Sequence, residues 1–479
     1  MKNLQPQGLW SNFHSLTQIP RPSGKKEEIS AFLAEYGRSL GLETIVDSIG
    51  NVIIRKPASA GYENHPGVIL QGHMDMVPQK NNDTIFDFEK DPIQAYIDGE
   101  WVTAKGTTLG ADNGIGVAAA MAILADKSVV HPPLEVLITV DEETGLYGAF
   151  ALEGGLLQGK TLLNLDSESE GELYVGCAGG VDITAKLAYT PVEVEEGDVA
   201  LKVSITGCKG GHSGCDIHLQ RANANKLLFR FLKDAVANLE ARLASVEGGS
   251  LRNAIPREAS AIITVPAEGV DEIMDLVAEY EDLFVAEYNG IEDAIRFTAT
   301  EVECPATELP EDVQDFLIHA ITACPNGVYR VIPERPDVVE TSNNLAMLTT
   351  EDNCITVSCL TRSSVESRKE ELQEIIHSAF AMAGAEVEFS GSYPGWQPNF
   401  NSNILEVMKT TYQTNYGVEP QVIIIHAGLE CGIIGRNYPG MDMISFGPTI
   451  QHPHSPDERV NIASVAKFYD YLLATLKAL

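Results

Sequence analysis

Val68-Ile-Leu-Gln-Gly-His-Met-Asp-Met76 reads as an apolar strand that runs out into a histidine and an acid one residue apart. Side chains alternate along an extended chain, so His73 and Asp75 point the same way at its end. Such a pair suits a metal ligand whose second ring nitrogen is held by a carboxylate. Taken alone, it equally reads as a polar loop after a core strand. The first reading gains weight because the pattern recurs. Leu134-Glu-Val-Leu-Ile-Thr-Val140 discharges into Asp141-Glu-Glu-Thr-Gly145, and Thr161-Leu-Leu-Asn-Leu165 into Asp166-Ser-Glu168. Near the C-terminus Met443-Ile-Ser-Phe446 leads to a segment holding His452 and His454. Ligands of open α/β sheets bind beyond the carboxyl ends of the strands, so these ends can converge in one crevice.

Between the first two of these strands lies Gly106-Thr-Thr-Leu-Gly-Ala-Asp-Asn-Gly-Ile-Gly116, a Gly-rich turn feeding an Ala-rich helix, Val117 to Ala125. It lacks the Gly-Lys-[Ser/Thr] ending of a phosphate loop and does not directly follow a strand as a dinucleotide fingerprint would. Asp112 sits at the mouth of the helix, where a carboxylate is also an ordinary N-cap. Helical spacing of Ile29, Phe32, Leu33, Tyr36 and Leu40 predicts an amphipathic helix over 25–40, with strands near 43–47 and 51–55. A helix is expected at 462–476.

The middle of the chain differs in character. Strands are expected near 200–206, 259–265, 296–302, 353–360 and 385–390, and helices at 219–243, 270–288, 311–323 and 367–383. This predicts an inserted α+β domain of two similar halves, with edges at a Gly179-Gly180 turn, the acidic 193–198 stretch and the Pro/Gly-rich 392–398. The expected organisation is a discontinuous domain from 1–185 and 394–479, holding the strand ends above, interrupted by a domain at 186–393.

At 479 residues the chain exceeds one ordinary core, and 44% hydrophobic with 21% charged residues is a soluble composition. No apolar run reaches the roughly 18 to 20 residues of a membrane span, so no membrane partner is expected. The start, Met1-Lys-Asn-Leu-Gln-Pro, has no apolar signal region, and a cytoplasmic location is the expectation. A net charge of −35 argues against nucleic acid as a partner, because phosphate contacts need basic surface. The eight cysteines are scattered without a Cys-x-x-Cys pair, which argues against a disulfide framework or thiolate zinc site.

Collected, the candidate residues are His73, Asp75, Asp112, Glu142, Glu143, Asp166 and one of His452 or His454. Imidazoles and carboxylates without thiolates suit two divalent cations, zinc first, cobalt or manganese next. Two metals about 3.5 to 4 Å apart can share a hydroxide and polarise a substrate oxygen. One acid of the Glu142-Glu143 pair would then be free as general base.

Gly-His-Met-Asp, Gly-Ala-Asp-Asn-Gly, Asp-Glu-Glu-Thr-Gly, Asn-Leu-Asp-Ser-Glu and His-Ser-Pro-Asp-Glu, in this order, resemble the metal-site signature of the M20 metallopeptidase family. Ile217-His-Leu-Gln-Arg-Ala-Asn-Ala-Asn225 and Ile425-His-Ala-Gly-Leu-Glu-Cys-Gly432 resemble its dipeptidase branch acting on Xaa-His. The resemblance implies an α/β fold, a zinc-peptidase-like mixed sheet flanked by helices with an inserted α+β lid. It implies Asp112 bridging two metals, His73 and Asp166 on one, Glu143 and His454 on the other. Asp75 would orient His73, and Glu142 would act as general base and acid on a metal-bridging hydroxide. On the lid, His212, Asn253, Arg362 and Gly428 would bind the substrate, a small dipeptide. An N-acyl amino acid hydrolase, a tripeptidase or a non-catalytic peptide binder are the competing functions. A homodimer is compatible with the resemblance, and His218, His426 and Glu430 keep open roles.

Overall fold

The computed structural model describes residues 1 and 3–479 and divides into two compact units. The first comprises Met1–Gly176, Trp396–Ile424 and Leu429–Leu479, the second Cys177–Gly395 with Ile425–Gly428. The expected boundary at 185 falls inside a strand, Gly179–Ala188, which pairs with Cys354–Ser363 and Glu386–Tyr393. The second unit therefore starts earlier, at Cys177, and runs to Gly395 rather than 393. Gly179 is no turn residue either. Its α-carbon faces the Tyr393–Gly395 backbone so closely that an added Cβ would lie 2.5 Å from Gly395 N.

The first unit is built on an eight-stranded mixed sheet. Its centre is four parallel strands lying side by side in the order Leu134–Thr139, Val68–His73, Thr161–Asn164 and Asp442–Ser445. These are the four apolar runs that end in histidines or acids. Strands buried on both faces read as continuous apolar runs, as Val68–His73 and Leu134–Thr139 do, with every residue buried. Antiparallel strands Val52–Lys56 and Glu43–Val46 extend one edge. The helix Ala111–Ala125 is alanine-rich because it is buried almost all round, against the sheet and the helix Gln7–Thr17. Sequence periodicity missed Gln7–Thr17, Asn403–Tyr416 and Glu430–Asn437, and the strands Ala95–Asp98 and Trp101–Ala104 of a small four-stranded sheet.

In the second unit both expected halves join one nine-stranded antiparallel sheet, through the pairing of Gly248 with Leu348. The helix expected at 219–243 is shorter, Ala224–Asn238. Asn223 caps it, its side chain accepting the Lys226 N–H at 3.1 Å, and the stretch after it pairs as the strand Arg242–Gly248, with Leu243 and Val246 buried. A 17-residue strand, Arg335–Glu351, was not expected; its polar Thr341–Asn344 stretch is fully buried and breaks the alternation a strand reading needs.

Candidate metal centre

All the metal-ligand candidates lie in the first unit, at or just beyond the carboxyl ends of the central strands and on the turn that opens the Ala111–Ala125 helix. Asp112 is the hub. Its Oδ1 lies 3.0 Å from His73 Nε2, and its Oδ2 lies 3.2 Å from His454 Nε2. Each histidine has a second acid, Asp166 Oδ1 at 3.3 Å from His73 Nε2 and Glu143 Oε2 at 3.0 Å from His454 Nε2. One carboxylate thus shares its two oxygens between two imidazole–carboxylate pairs, which is the connectivity of a bridging ligand.

The donor set fits divalent metal. Ligand atoms of His73, Asp112 and Glu143 all lie within 4.8 Å of one another, and Glu143 Oε1 is buried without a hydrogen-bond partner. The concentration of acid pulls positive charge into the site. Hydrogen bonds to Asp112 and Glu143 push the His454 pKa up to about 11, and burial pushes Asp166 up to about 6.

Sequence left His452 and His454 open. His454 reaches Asp112 and Glu143, and His452 enters no ion pair with an acid among the described residues. Replacing His454 by alanine is expected to cost metal affinity about tenfold or more, whereas His452→Ala should leave it near wild type, as read by cobalt titration of each variant.

The surrounding residues explain why the ligands stand where they do. His73 turns Nδ1 towards Asp75, with Oδ1 at 3.5 Å, which leaves Nε2 facing Asp112. Asp75 also accepts Ser23 Oγ at 2.7 Å and the backbone N–H groups of Glu142 and Glu143 at 3.0 and 3.3 Å. It therefore holds two strand ends together as well as a ring. Burial opposes its charge, but the His73 hydrogen bond outweighs this with the help of the other donors, and its pKa is lowered.

The run Asp141-Glu142-Glu143 separates its charges. Asp141, at φ +50°, takes the Gly24 N–H at 2.7 Å and Lys26 Nζ at 3.3 Å. Glu143 meets His454, while Glu142 is half-buried with Asp166, Glu430 and Glu143 as its acidic neighbours. Burial, then those neighbours, raise its pKa well above the ordinary carboxylate value although His73 pulls it down. A carboxyl group so placed can both take and give a proton.

Two residues that the sequence reading missed fix the Asp112 turn. Glu458, of His-Ser-Pro-Asp-Glu, accepts the N–H groups of Leu109, Gly110, Ala111 and Asp112 at 2.7, 2.9, 2.7 and 3.2 Å. Burial pushes its pKa up to about 7. Asn113 donates to Leu165 O at 2.7 Å and fits only because Gly72 and Gly116 flank it. A Cβ on Gly72 would lie 2.2 Å from Asn113 Oδ1. Gly72→Ala should therefore displace the Asp112 turn and weaken metal binding about tenfold or more, measurable as metal retained after gel filtration.

His212, Asn253, Arg362 and Gly428 all belong to the second unit. His212 Nδ1 accepts the Gly214 and Cys215 N–H groups at 3.1 and 3.0 Å, so its neutral ring carries the proton on Nε2 and presents a donor. Burial, then Arg362, lower its pKa. Arg362, 5% exposed, donates to Tyr393 OH at 2.8 Å and Ser213 Oγ at 3.4 Å. Ser213 N donates to Asn253 O at 2.8 Å, and Gly428 packs beside the Tyr393 ring. His426 pairs with Ser342 Oγ at 2.7 Å, and burial beside Arg362 lowers its pKa to about 3. The second unit thus gathers a guanidinium and imidazole donors in one place, a set suited to an anion.

Known proteins resemble this chain in sequence and in fold. Residues 69–478 match the model of peptidase family M20/M25/M40. The chain is 48% identical over 477 residues to the cytosol non-specific dipeptidase of Escherichia coli (strain K12), covering 100% of this chain and 98% of that protein. The crystal structure of aminoacylhistidine dipeptidase from Vibrio alginolyticus superposes with a TM-score of 0.96 at 49% identity, covering 100% of this chain and 98% of that one. The aminopeptidase PepT of Bacillus cereus, 17% identical over 99% of both chains with a TM-score of 0.57, shares the fold. No described helix is long and apolar enough to cross a membrane.

Proposed function

Because the chain belongs to peptidase family M20/M25/M40, we propose that it is a metal-dependent dipeptidase, acting on Xaa-His and similar dipeptides in the cytosol. The observation that carries this reading is the division of the Asp112 carboxylate between the two imidazole–acid pairs. His73 and Asp166 would hold one divalent ion, Glu143 and His454 the other, with Asp112 on both. Zinc suits this oxygen and nitrogen set, with cobalt or manganese as substitutes. When bound, the ions polarise the substrate carbonyl and acidify water.

The chain's own residues do the rest. Asp75 keeps the His73 ring in the tautomer that leaves Nε2 for the metal. Glu142, fixed by the Asp75–N–H contact, takes the proton of the attacking water and delivers it to the leaving amide nitrogen. In the second unit, His212 offers its Nε2–H to developing negative charge. Arg362, with Asn253 and the Gly428 backbone, provides for the substrate carboxylate.

The test is hydrolysis by protein stripped with a chelator and reloaded with zinc, cobalt or manganese, on a panel of dipeptides, a tripeptide and an N-acyl amino acid. Stripped protein should be inactive and reloaded protein should cleave dipeptides fastest. Activity insensitive to chelation, or a preference for the N-acyl amino acid, would count against the assignment.

A further inference from the structure

Just below the metal-binding strand ends, a row of buried polar side chains crosses the sheet of the first unit. In register Gln71 lies beside Asn164, and Asn164 beside Ser445, so three adjacent parallel strands carry a polar residue on one rung. They are 1%, 0% and 0% exposed. The row begins at Glu430, the first residue of the helix Glu430–Asn437 and itself 1% exposed. Glu430 Oε2 accepts Gln71 Nε2 at 2.5 Å and Thr139 Oγ1 at 2.8 Å, while Oε1 is buried without a partner.

Buried polar groups are for the most part hydrogen-bonded, and here the partners set one another's direction. An oxygen that already takes two donors fixes which end of the Gln71 amide faces it. Gln71 Oε1 is thereby turned to Asn164, which donates Nδ2 at 2.5 Å. Asn164 is set in turn, and its Oδ1 accepts Ser445 Oγ at 2.5 Å and the backbone N–H of Asp166 at 3.3 Å. Ser167 Oγ closes the row on Ser445 Oγ at 2.6 Å. Turning either amide over would set donor against donor at one end and acceptor against acceptor at the other.

We propose that Glu430 is a positioning residue for Asp166: through Gln71 and Asn164 it aims the Asn164 amide oxygen at the Asp166 N–H and keeps the Asp166 carboxylate beside His73. This rests on the reading of Asp166 as a metal ligand. An acid at a helix N-terminus also favours the helix dipole, but that role would alter stability and leave metal affinity alone.

Cobalt affinity, titrated against a chelating dye and followed through the cobalt absorption bands, separates the two roles in Glu430→Ala, Glu430→Gln and Gln71→Met. Glu430→Ala and Gln71→Met should each weaken cobalt binding by about 10- to 100-fold and change the band envelope, the loss usual when a ligand's support is removed. Glu430→Gln should retain the wild-type affinity, because its amide oxygen can take both donors while its NH2 occupies the unpartnered position. A loss below about tenfold in Glu430→Ala, or a loss in Glu430→Gln equal to that of alanine, would overturn the proposal. Should Glu430→Ala not fold, Gln71→Met carries the same expectation and the same refutation. Wild-type protein binding fewer than two cobalt ions would instead defeat the two-metal reading beneath it.

Discussion

Glu142→Ala is expected to lower the rate of dipeptide hydrolysis by at least about a hundredfold while metal content stays near wild type. Glu142 touches neither histidine of the metal cluster, whereas its neighbour Glu143 lies 3.0 Å from His454. Removing its carboxylate therefore takes away a proton carrier and leaves the ligand set whole. The backbone should hold, since Asp75 grips the Glu142 N–H and not its side chain. Metal analysis beside single-turnover rates checks both halves. A variant of near-normal rate would defeat the role of base, and one that has lost metal would make Glu142 a ligand.

Asp112→Ala should do the reverse, removing metal first and activity in consequence. Without the shared carboxylate, the proposed ligand sets shrink to His73 with Asp166 and His454 with Glu143. Two protein ligands fall short of the three that zinc sites of catalytic type use. Both ions should be lost on gel filtration, and cobalt titration should show binding weakened by more than about a hundredfold, beyond the effect of removing an outer partner. Two fully occupied sites in this variant would refute the bridge.

Much of this centre is legible in the amino-acid sequence. The central strands are largely buried, so their apolar runs stand out, and three of them stop at an acid or a histidine, His73, Asp141 and Asp166. Which strands lie side by side is not legible there, because register and strand order come from pairing across distant sequence. The supports are less legible still. Glu458 and Asn113 act on backbone N–H and C=O groups, which every residue carries, so no partner residue type betrays the contact. The one available sign for Glu458 is an acid at fixed spacing from His454, opposite a turn rich in free N–H groups. In the second unit, the strand Arg335–Glu351 escapes because its buried stretch is polar and its side chains bond within the unit, as the Asn344 NH2 group does to the Arg252 and Ala254 carbonyls.

The grip of Glu458 on the turn before Asp112 also ties that turn to a distant part of the chain. The turn, His73, Asp112 and Glu142 precede the second unit in sequence, whereas the stretch with the strand Asp442–Ser445, His454 and Glu458 follows it. Contacts spanning some 350 residues form late in assembly, because the loop they close is long. A nascent chain lacking that stretch has four backbone donors without their acceptor and one metal pair without its histidine. The order of the turn thus depends on a contact that joins the two segments of the first unit on either side of the second.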